Sequence, residues 1–312
     1  MKEKHVLAII TADIHLRQNK PVCRNDDFFK EQEKKLDYIL NLQKKHGVPI
    51  LDAGDVFDKA VSSLFLNCFI LEKIKKINNK IITIPGNHDL VNHSLELFKK
   101  SNLYLLSLAS TNFYVLRNDL INEYYEILPD VVVYGQEYCT KLPKINVLEK
   151  HIKYKKILLL HAMIFEKEKN KYIEGHTAKE ILNKYKNFDI IITGHNHKTF
   201  VVQNNKQILI NPGSLMRMSI DQINHKPSIF LLYDDFTIQQ QNIPIADNVF
   251  DNTYIEIQKL KKENKIKIEK FINNINKKNI KSNKDYITNV ENYIIKNKIN
   301  KNIQNYIWES IK

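Results

Sequence analysis

Short apolar runs alternate with longer amphipathic segments over the first two thirds of the chain. Runs rich in Ile, Val and Leu, with the length of buried strands, lie at residues 5–12, 48–53, 80–84, 156–162 and 188–194. Apolar residues at helical spacing occupy segments between some of them, at residues 27–45 and 62–77. Buried strands that alternate with helices predict an α/β fold with a largely parallel sheet.

Shorter apolar runs follow at residues 198–203, 206–212, 228–235 and 236–242. Asn204 and Asn205 separate the first two runs, which is a spacing typical of a β-hairpin. These runs therefore predict a second, more antiparallel sheet. The complete pattern predicts two sheets flanked by helices.

The character of the chain changes near residue 250. After a strand-like run at residues 253–258, the sequence is rich in Lys and Asn and has apolar residues at helical spacing. They form two stripes, one of Tyr286, Val290, Tyr293 and Ile294, and one of Ile303, Tyr306, Ile307 and Ile311. We therefore predict one domain over residues 1–245 and a small, mainly helical C-terminal module over residues 246–312, whose stripes form a core or a docking surface.

Composition limits the possible settings of this chain. The 312 residues include 48 Lys and Arg against 35 Asp and Glu, a net charge of +13. This excess suits a polyanionic partner such as DNA or RNA, although AT-rich coding would produce the same enrichment in Lys, Asn and Ile. No apolar run approaches twenty residues, so we predict no membrane span. Three scattered cysteines without a CxxC pair predict a reduced, cytoplasmic setting.

Residue types that bind metals follow most of the predicted strands. The stretches are TADIHL (11–16), LDAGDVFD (51–58), IPGNHDL (84–90), LLLHAMI (158–164), ITGHNHKT (192–199) and NPGSLMR (211–217). In an α/β sheet, side chains just past the carboxyl ends of the strands converge on one edge, where ligands bind. The sequence therefore predicts that these stretches form one site.

The spacing within the stretches fits two divalent cations. Asp13 and His15 are two residues apart, so an extended backbone would put both on one face, and His195 and His197 repeat this spacing. Asp55 has two oxygens that can bridge two ions. Carboxylate, amide and imidazole are ligands of hard or borderline metals, and Asn87 and His161 complete the set of seven.

Each residue alone has a simpler explanation. Asp13, Asp55 and Asn87 are common types in turns and helix caps, and a lone His after an apolar run is usually a buried, hydrogen-bonded histidine. The simpler explanation would have to hold in five separate places. The joint pattern therefore favours a metal site.

In their order along the chain, the stretches resemble the motifs of the calcineurin-like metallophosphoesterase superfamily. The matching patterns are D-x-H, GD-x-x-D, GNH-D, a lone His and GH-x-H, and the resemblance covers about residues 5–235. AGDVFD, PGNHD and NPGSLMR look most like the SbcD/Mre11 DNA-repair nucleases and their phage relatives. The resemblance implies a four-layer α/β/β/α sandwich with a small C-terminal helical module.

The resemblance also implies a role for each motif residue. The first ion would be bound by Asp13, His15, Asp55 and His197, and the second by Asp55, Asn87, His161 and His195. His88 would stabilise the transition state or protonate the leaving oxygen, with Asp89 as the residue that orients it. The ions would be Mn²⁺, with Mg²⁺, Fe²⁺ or Zn²⁺ as alternatives.

The activity implied by the resemblance is DNA endonuclease and exonuclease activity in repair or recombination. The partners would be DNA, a second copy of the chain and an SbcC/Rad50-like coiled-coil ATPase that packs on the C-terminal module, without membrane association. One alternative is a stand-alone metallophosphatase or cyclic-nucleotide phosphodiesterase. Another is a scaffold that retains the site for stability, which the intact pair of His88 and Asp89 argues against.

Four cationic residues near the motifs are candidate phosphate or DNA contacts. Arg17 stands where this family often has Gly, and Arg24 follows in PVCRNDDF. Both are positioned to bind a phosphate near the first ion, or to pair with Asp26 or Asp27 instead. Lys198 and Arg217 flank the later motifs, where they contact a DNA backbone or are solvated.

Overall fold

The computed structural model describes residues 4–117, 124–169, 172–277 and 283–310. Its strands are β1 (Val6–Thr11), β2 (Ile50–Asp52), β3 (Ile81–Thr83), β4 (Phe113–Val115), β5 (Tyr124–Leu128), β6 (Val131–Gln136), β7 (Lys155–His161), β8 (Ile164–Phe165), β9 (His176–Thr177), β10 (Ile190–Gly194), β11 (Phe200–Gln203), β12 (Ile208–Asn211), β13 (Ser228–Tyr233) and β14 (Ile238–Asn242). Its helices are α1 (Phe28–His46), α2 (Leu64–Ile74), α3 (Asn102–Ala109), α4 (Ala178–Lys184), α5 (Asn252–Lys277), α6 (Asn283–Lys296) and α7 (Lys301–Glu309).

The strands form two six-stranded sheets and a two-stranded one. The first sheet has the order β14-β13-β1-β2-β3-β4, and its strands β1 to β4 are parallel. The second has the order β11-β12-β10-β7-β6-β5, with β6, β7, β10 and β12 parallel. Strands β8 and β9 pair separately. The predicted parallel strands are therefore confirmed, and they are divided between two sheets.

The later strands differ in part from the prediction. Strands β11 and β12 do form the antiparallel hairpin around Asn204 and Asn205. However, the four later strands do not make a sheet of their own, because β12 pairs in parallel with β10 and β13 pairs antiparallel with β1. Each hairpin thus extends one of the two existing sheets, where its apolar residues become buried.

Both large sheets are buried on both faces. In β1, Ile9 belongs to the core beneath α1 and α2, whereas Ala8 and Ile10 belong to the core between the sheets. In β7, Leu159 faces the core between the sheets and Leu158 packs in the core that contains α4. This arrangement explains the continuous apolar runs and confirms the α/β/β/α sandwich.

Local signals define the ends of the helices that cover the first sheet. The Asp27 carboxylate caps α1 by accepting the N–H of Lys30, and Gly47 ends this helix with a φ of 66°. The Ser63 hydroxyl caps α2 by accepting the N–H of Leu66. A side-chain cap satisfies one of the free N–H groups of the first turn, and glycine adopts a positive φ without strain.

The chain divides into two compact units, Met1–Phe250 and Asp251–Lys312. The boundary that we predicted between residues 245 and 246 stays a prediction. The strand predicted at residues 253–258 is wrong, because these residues lie in α5. The Asp251 carboxylate accepts the N–H of Tyr254 and so caps a segment rich in Lys and Glu, which are strong helix formers.

The second unit has a small core of its own. Val290, Ile294 and Ile307 are buried together, whereas Tyr293 and Tyr306 are exposed. The predicted stripes therefore contribute both core and surface side chains. Two of their members, the Tyr286 side chain and Ile311, lie outside the described residues. Among the described helices of the whole chain, none is both long and apolar enough to cross a membrane.

Candidate metal centre

The seven predicted ligands converge at the carboxyl ends of five strands. Asp13 and His15 follow β1, Asp55 follows β2 and Asn87 follows β3, all in the first sheet. His161 is the last residue of β7, and His195 follows β10 directly, with His197 two residues later. The site therefore lies where the two sheets present the same edge, as the strand-end argument predicted.

The backbone reaches this arrangement differently from the prediction. Asp13 and His15 have φ values of 50° and 49°, Asp55 has 57° and His195 has 84°. The expected extended backbone is therefore wrong, and left-handed turns bring the side chains together. A positive φ in a residue other than glycine typically costs about 1–3 kcal/mol, and such residues cluster at functional sites.

Main-chain hydrogen bonds between loops hold these turns. The N–H of Asp13 donates to the carbonyl of Gly54 at 3.0 Å, and the N–H of His15 donates to the carbonyl of Asp55 at 2.9 Å. The carbonyl of Asp13 accepts the N–H of Leu215 from the NPGSLMR loop at 3.1 Å. The strained backbone is thus fixed by its neighbours before any ion binds.

One cluster of ligand atoms consists of Asp13, His15 and His197, whose ligand atoms all lie within 4.8 Å of one another. Nε2 of His15 is 3.0 Å from Nε2 of His197 and 3.9 Å from Oδ1 of Asp13. The same nitrogen is 3.7 Å from Oδ2 of Asp55. Ligand atoms of His197, Asp13 and Asp55 thus all lie within 4 Å of Nε2 of His15, close enough to share an ion with it.

The second cluster consists of Asp55, His161 and His195, and His15, Asp55 and His88 form a further group with ligand atoms equally close together. Nε2 of His161 lies 3.3 Å from Oδ2 of Asp55 and 3.1 Å from Oδ1 of Asn87. The other ring nitrogen, Nδ1, lies 2.7 Å from the carbonyl of Ala53, which can accept only an N–H. This contact assigns the proton to Nδ1 and leaves Nε2 of His161 as a metal ligand.

One buried carboxylate oxygen in the site fits a bound cation. Oδ2 of Asp55 is buried without a well-formed hydrogen bond among the described residues, and it lies 3.3 Å from Nε2 of His161. Asp55 uses its other oxygen to accept the N–H of His88 at 2.8 Å. Leaving a buried carboxylate oxygen unpaired is unfavourable, and a cation beside Oδ2 would remove that cost.

The pKa shifts of the metal-free site agree with this interpretation. Burial lowers the pKa of His15 to about 3 and that of His195 to about 4, so both rings are neutral and offer a lone pair. Burial opposes a charge on His161 too, but Asp55 and Asp13 outweigh it and raise the pKa of His161 to about 9. A proton on His161 thus offsets carboxylate charge where a divalent cation would otherwise do so.

Asp13 and Asp55 respond differently to the same environment. Burial raises the pKa of Asp13 to about 8. Burial acts in the same direction on Asp55, but the adjacent His161 holds the pKa of Asp55 below its usual range. Asp55 is therefore the permanently ionised carboxylate of the site, as a bridging ligand needs to be.

His88 lies in the site, but Asp89 does not orient it. Nδ1 of His88 contacts the carbonyl of Asp58 at 2.8 Å, and its ring lies edge-on to His15 with 4.8 Å between the centroids. The Asp89 carboxylate instead accepts the N–H groups of Val56, Phe57 and Gly86 at 3.0–3.2 Å. The expected role of Asp89 is therefore wrong. Its carboxylate joins the GD-x-x-D loop to the GNHD loop.

Two of the four candidate phosphate contacts are buried structural residues. The guanidinium of Arg24 donates to both carboxylate oxygens of Asp26, at 2.8 and 2.6 Å, and to the carbonyl of Arg217 at 2.6 Å. Arg217 in turn donates to the carbonyls of Ile223 and Ala246. Because both side chains are enclosed, the expectation that they contact phosphate is wrong.

The other two candidates remain accessible. Arg17 lies 3.4 Å from Asp58 and has a side-chain exposure of 26%. It lines a cavity of about 260 Å³ together with Gln18, Asn19 and Lys59. Lys198 is exposed and directly follows His197. Phosphate contact by Arg17 and Lys198 stays a prediction.

Sequence reasoning missed two residues beside the ligands. Tyr138 packs against His161 and His195, with 6.1 and 5.5 Å between ring centroids. Buried Gln222 has its Nε2 3.3 Å from Nδ1 of His197 and donates to the Ser214 hydroxyl. Neither residue lies in the six motif stretches, although Tyr138 follows the end of β6 by two residues, as the ligands follow their strands.

Three solved structures resemble this chain at low similarity. A putative 5'-nucleotidase from Staphylococcus aureus, in complex with alpha-ketoglutarate, is 15% identical with a TM-score of 0.47, and the match covers 82% of this chain and 58% of that one. A protein from Thermus thermophilus is 15% identical with a TM-score of 0.49, and the match covers 77% of this chain and all of the other, 100%.

The third structure is an archaeal phosphodiesterase, 14% identical with a TM-score of 0.39, whose match covers 76% of this chain and 99% of that one. All three scores are below 0.5, and no conclusion about substrate follows from them. No curated protein sequence matched the chain.

The sequence does match a known family over most of its first unit. The match is to the calcineurin-like phosphoesterases and covers residues 7–199, which include all seven ligands and His88. Members of this family use a dinuclear metal centre. Asp55 belongs to the second ligand cluster and also lies 3.7 Å from His15 of the first, so the two clusters fit such a centre. The chain belongs to the calcineurin-like phosphoesterase family.

Proposed function

We propose that this protein is a metal-dependent phosphodiesterase that cleaves DNA, of the SbcD/Mre11 nuclease type. The observation that carries the proposal is the convergence of seven ligand side chains at one edge of the two sheets, with buried Asp55 beside His15 of one cluster and His161 of the other. Two divalent ions bound there, Mn²⁺ by resemblance, would neutralise the phosphate oxygens and lower the pKa of water that attacks the phosphorus.

The protein's own contribution to the chemistry is proton transfer and orientation. His88 would act from its doubly protonated form: Nδ1–H stays bound to the carbonyl of Asp58, and Nε2–H passes its proton to the leaving oxygen. Its backbone N–H binds Oδ1 of Asp55, so the acid and the bridging carboxylate keep a fixed spacing. A positioned acid of this kind typically contributes about 10²–10⁴-fold to the rate.

Positive charge supports DNA as the substrate. The cavity that contains Arg17 and Lys59 begins one residue after His15 and also includes Asp58, whose carbonyl holds His88. Lys198 directly follows His197, and the whole chain has a net charge of +13. Cations are therefore available for the phosphates that flank the scissile one. Arg17 and Lys198 are therefore our proposed DNA-backbone contacts.

The second unit supports a protein partner. Ile257 and Leu260, three residues apart on one side of α5, are exposed large apolar side chains, and Tyr293 and Tyr306 are exposed in α6 and α7. We propose that the side of α5 with Ile257 and Leu260 docks the coiled-coil base of an SbcC/Rad50-like ATPase, and that the nuclease works as a homodimer. Apolar residues at helical spacing are typical of surfaces that receive a partner helix.

A small phosphoester is the second candidate substrate. The same cavity has a volume of about 260 Å³, which suits a small ligand better than a nucleic-acid strand. A stand-alone phosphatase or a cyclic-nucleotide phosphodiesterase would use the same ions and the same His88.

A comparison of substrates tests the proposal. Purified protein with Mn²⁺ is assayed on linear DNA, circular single-stranded DNA, a cyclic nucleotide and a small phosphomonoester, with Asp55→Asn as the inactive control. We expect cleavage of DNA to have the highest kcat/KM. Turnover of the phosphomonoester or the cyclic nucleotide without any DNA cleavage would instead establish the second candidate.

A further inference from the structure

The backbone of Tyr138 is fixed between two segments of the metal centre. Its N–H donates to the carbonyl of Pro85, at the start of the GNHD loop, at 2.8 Å. The N–H of the next residue, Cys139, donates to the carbonyl of His161 at 3.2 Å. Tyr138 therefore keeps its position relative to ligands of the second cluster.

The ring of Tyr138 forms part of the wall of the site. It contacts His195 and His161, and its centroid is also 6.1 Å from the ring of His93. The residue is only half-buried, and its hydroxyl has no hydrogen bond within the described part of the chain. An aromatic ring is thus accessible to a bound substrate beside the second ion.

The two sides of the centre differ in chemistry. The cavity with Arg17 and Lys59 is lined by Leu16, the residue after His15 of the first cluster, whereas the ring of Tyr138 packs against His161 and His195 of the second cluster. Cations suit the phosphates of a nucleic-acid strand, and an aromatic face suits its bases. A strand bound across both ions would meet the two kinds of surface at the same time.

We propose that Tyr138 is a specificity-determining residue that stacks on the base next to the scissile phosphate. The inference rests on the proposed function, because it names how the same site holds a nucleotide. Stacking does not depend on which base is present, since every base has a π face. Tyr138 therefore favours substrates that have a base at this position and does not select a sequence.

The experiment measures discrimination between a base and no base. Three dinucleotides are compared with the full-length Mn²⁺ protein: one with both bases, and two in which a hydrogen replaces the base on one side of the phosphodiester. We expect wild type to prefer the complete dinucleotide over one of the two abasic forms by about tenfold in kcat/KM. Tyr138→Leu should bring this ratio close to one, and Tyr138→Phe should retain it.

A matched control separates stacking from a structural role. Tyr233 is half-buried at the end of β13, where it pairs with Val6 at the start of β1, so Tyr233→Leu should retain the wild-type ratio. If Tyr138 only shields the ligands, Tyr138→Leu lowers metal content or slows all three substrates equally. An unchanged ratio in Tyr138→Leu, or a loss in Tyr138→Phe equal to that in Tyr138→Leu, overturns the inference.

Failure of the nuclease proposal has a different signature. In that case wild type cleaves none of the dinucleotides but hydrolyses small phosphoesters. The same variants are then compared on thymidine 5'-monophosphate and deoxyribose 5-phosphate. A wild-type preference for the nucleotide that Tyr138→Leu loses supports the stacking role, and equal preference in both proteins overturns it.

Discussion

The two compact units of this protein differ in how much of their apolar surface they bury. The first unit contains three buried clusters, beneath each outer helical layer and between the sheets. The described part of the second unit has one cluster, with Val290, Ile294 and Ile307 as its buried members. Helix α5 is 26 residues long, and none of its described side chains is buried.

The difference in burial leads us to expect a difference in task. Burial of apolar surface is the main favourable contribution to folding, so the first unit can tolerate strained turns and buried charges at its metal centre. The second unit leaves apolar residues of α5 in contact with solvent, where burial against a partner would stabilise them. We therefore expect changes at the centre to affect chemistry, and changes in the second unit to affect association.

The largest effect is expected from Asp55→Asn. The change keeps the shape of the side chain but removes the charge that both ligand clusters use, so both ions should bind weakly. Loss of a residue that only hydrogen-bonds to a metal ligand typically lowers activity roughly 10–100-fold, and Asp55→Asn should lower it by more than that. Metal content and turnover are measured together, with Asp37→Asn, a half-buried position in α1 outside the metal centre, as control. Full metal occupancy and normal turnover would disprove the bridging role of Asp55.

His88→Asn should separate chemistry from metal binding. The variant loses the proposed proton donor but none of the seven ligands, so turnover should fall roughly 10²-fold or more while both ions stay bound. His195→Ala is the comparison, because it removes a proposed ligand. If His88→Asn loses as much metal as His195→Ala, then His88 is itself a ligand.

Asp89→Ala should affect stability more than catalysis. It leaves three buried N–H groups unpaired, so the free energy of unfolding should fall by about 3 kcal/mol or more. Denaturant unfolding of the metal-free protein measures the loss. The kcat of the folded Asp89→Ala protein should be higher than that of His88→Asn. Equal turnover of the two variants would restore the catalytic role that the sequence indicated for Asp89.

Metal binding should release protons at pH 7. The pKa values of Asp13 and His161 in the metal-free protein are about 8 and about 9, so both groups hold protons at this pH and lose them when a cation binds. Metal affinity should therefore rise with pH up to about 9. Calorimetry in two buffers with different heats of ionisation counts the protons, and identical heats in both buffers would contradict the prediction.

Deleting residues 251–312 should have the smallest effect on chemistry. All seven ligands and His88 lie in the first unit, so hydrolysis of a small phosphodiester should change less than about threefold, within the range of a remote change. Association with an ATPase or a second copy should be lost. Weaker DNA binding with a flatter salt dependence, and with association intact, would instead identify the lysines of this unit as phosphate contacts.

The sequence predicted most of the first unit because its signals are local and repeated. The buried strands around Ile9, Leu51 and Leu159 were recognisable as apolar runs, and the Asn204–Asn205 turn predicted a hairpin that the structure contains. The strand predicted at residues 253–258 failed because Ile255 and Ile257 fit strand alternation, while Tyr254 and Ile257, three residues apart, fit one face of a helix equally well. Local periodicity cannot separate these cases in a short run.

By itself, the sequence determined which residue types reach the shared edge of the sheets, since each motif directly follows a buried strand. Only the tertiary structure decided how they are used: the left-handed turns at Asp13 and His15, the three N–H groups on Asp89, and the ring of Tyr138 beside His195. These features depend on contacts between segments far apart in the chain. Such contacts form through packing and hydrogen bonds that leave no pattern in neighbouring residues.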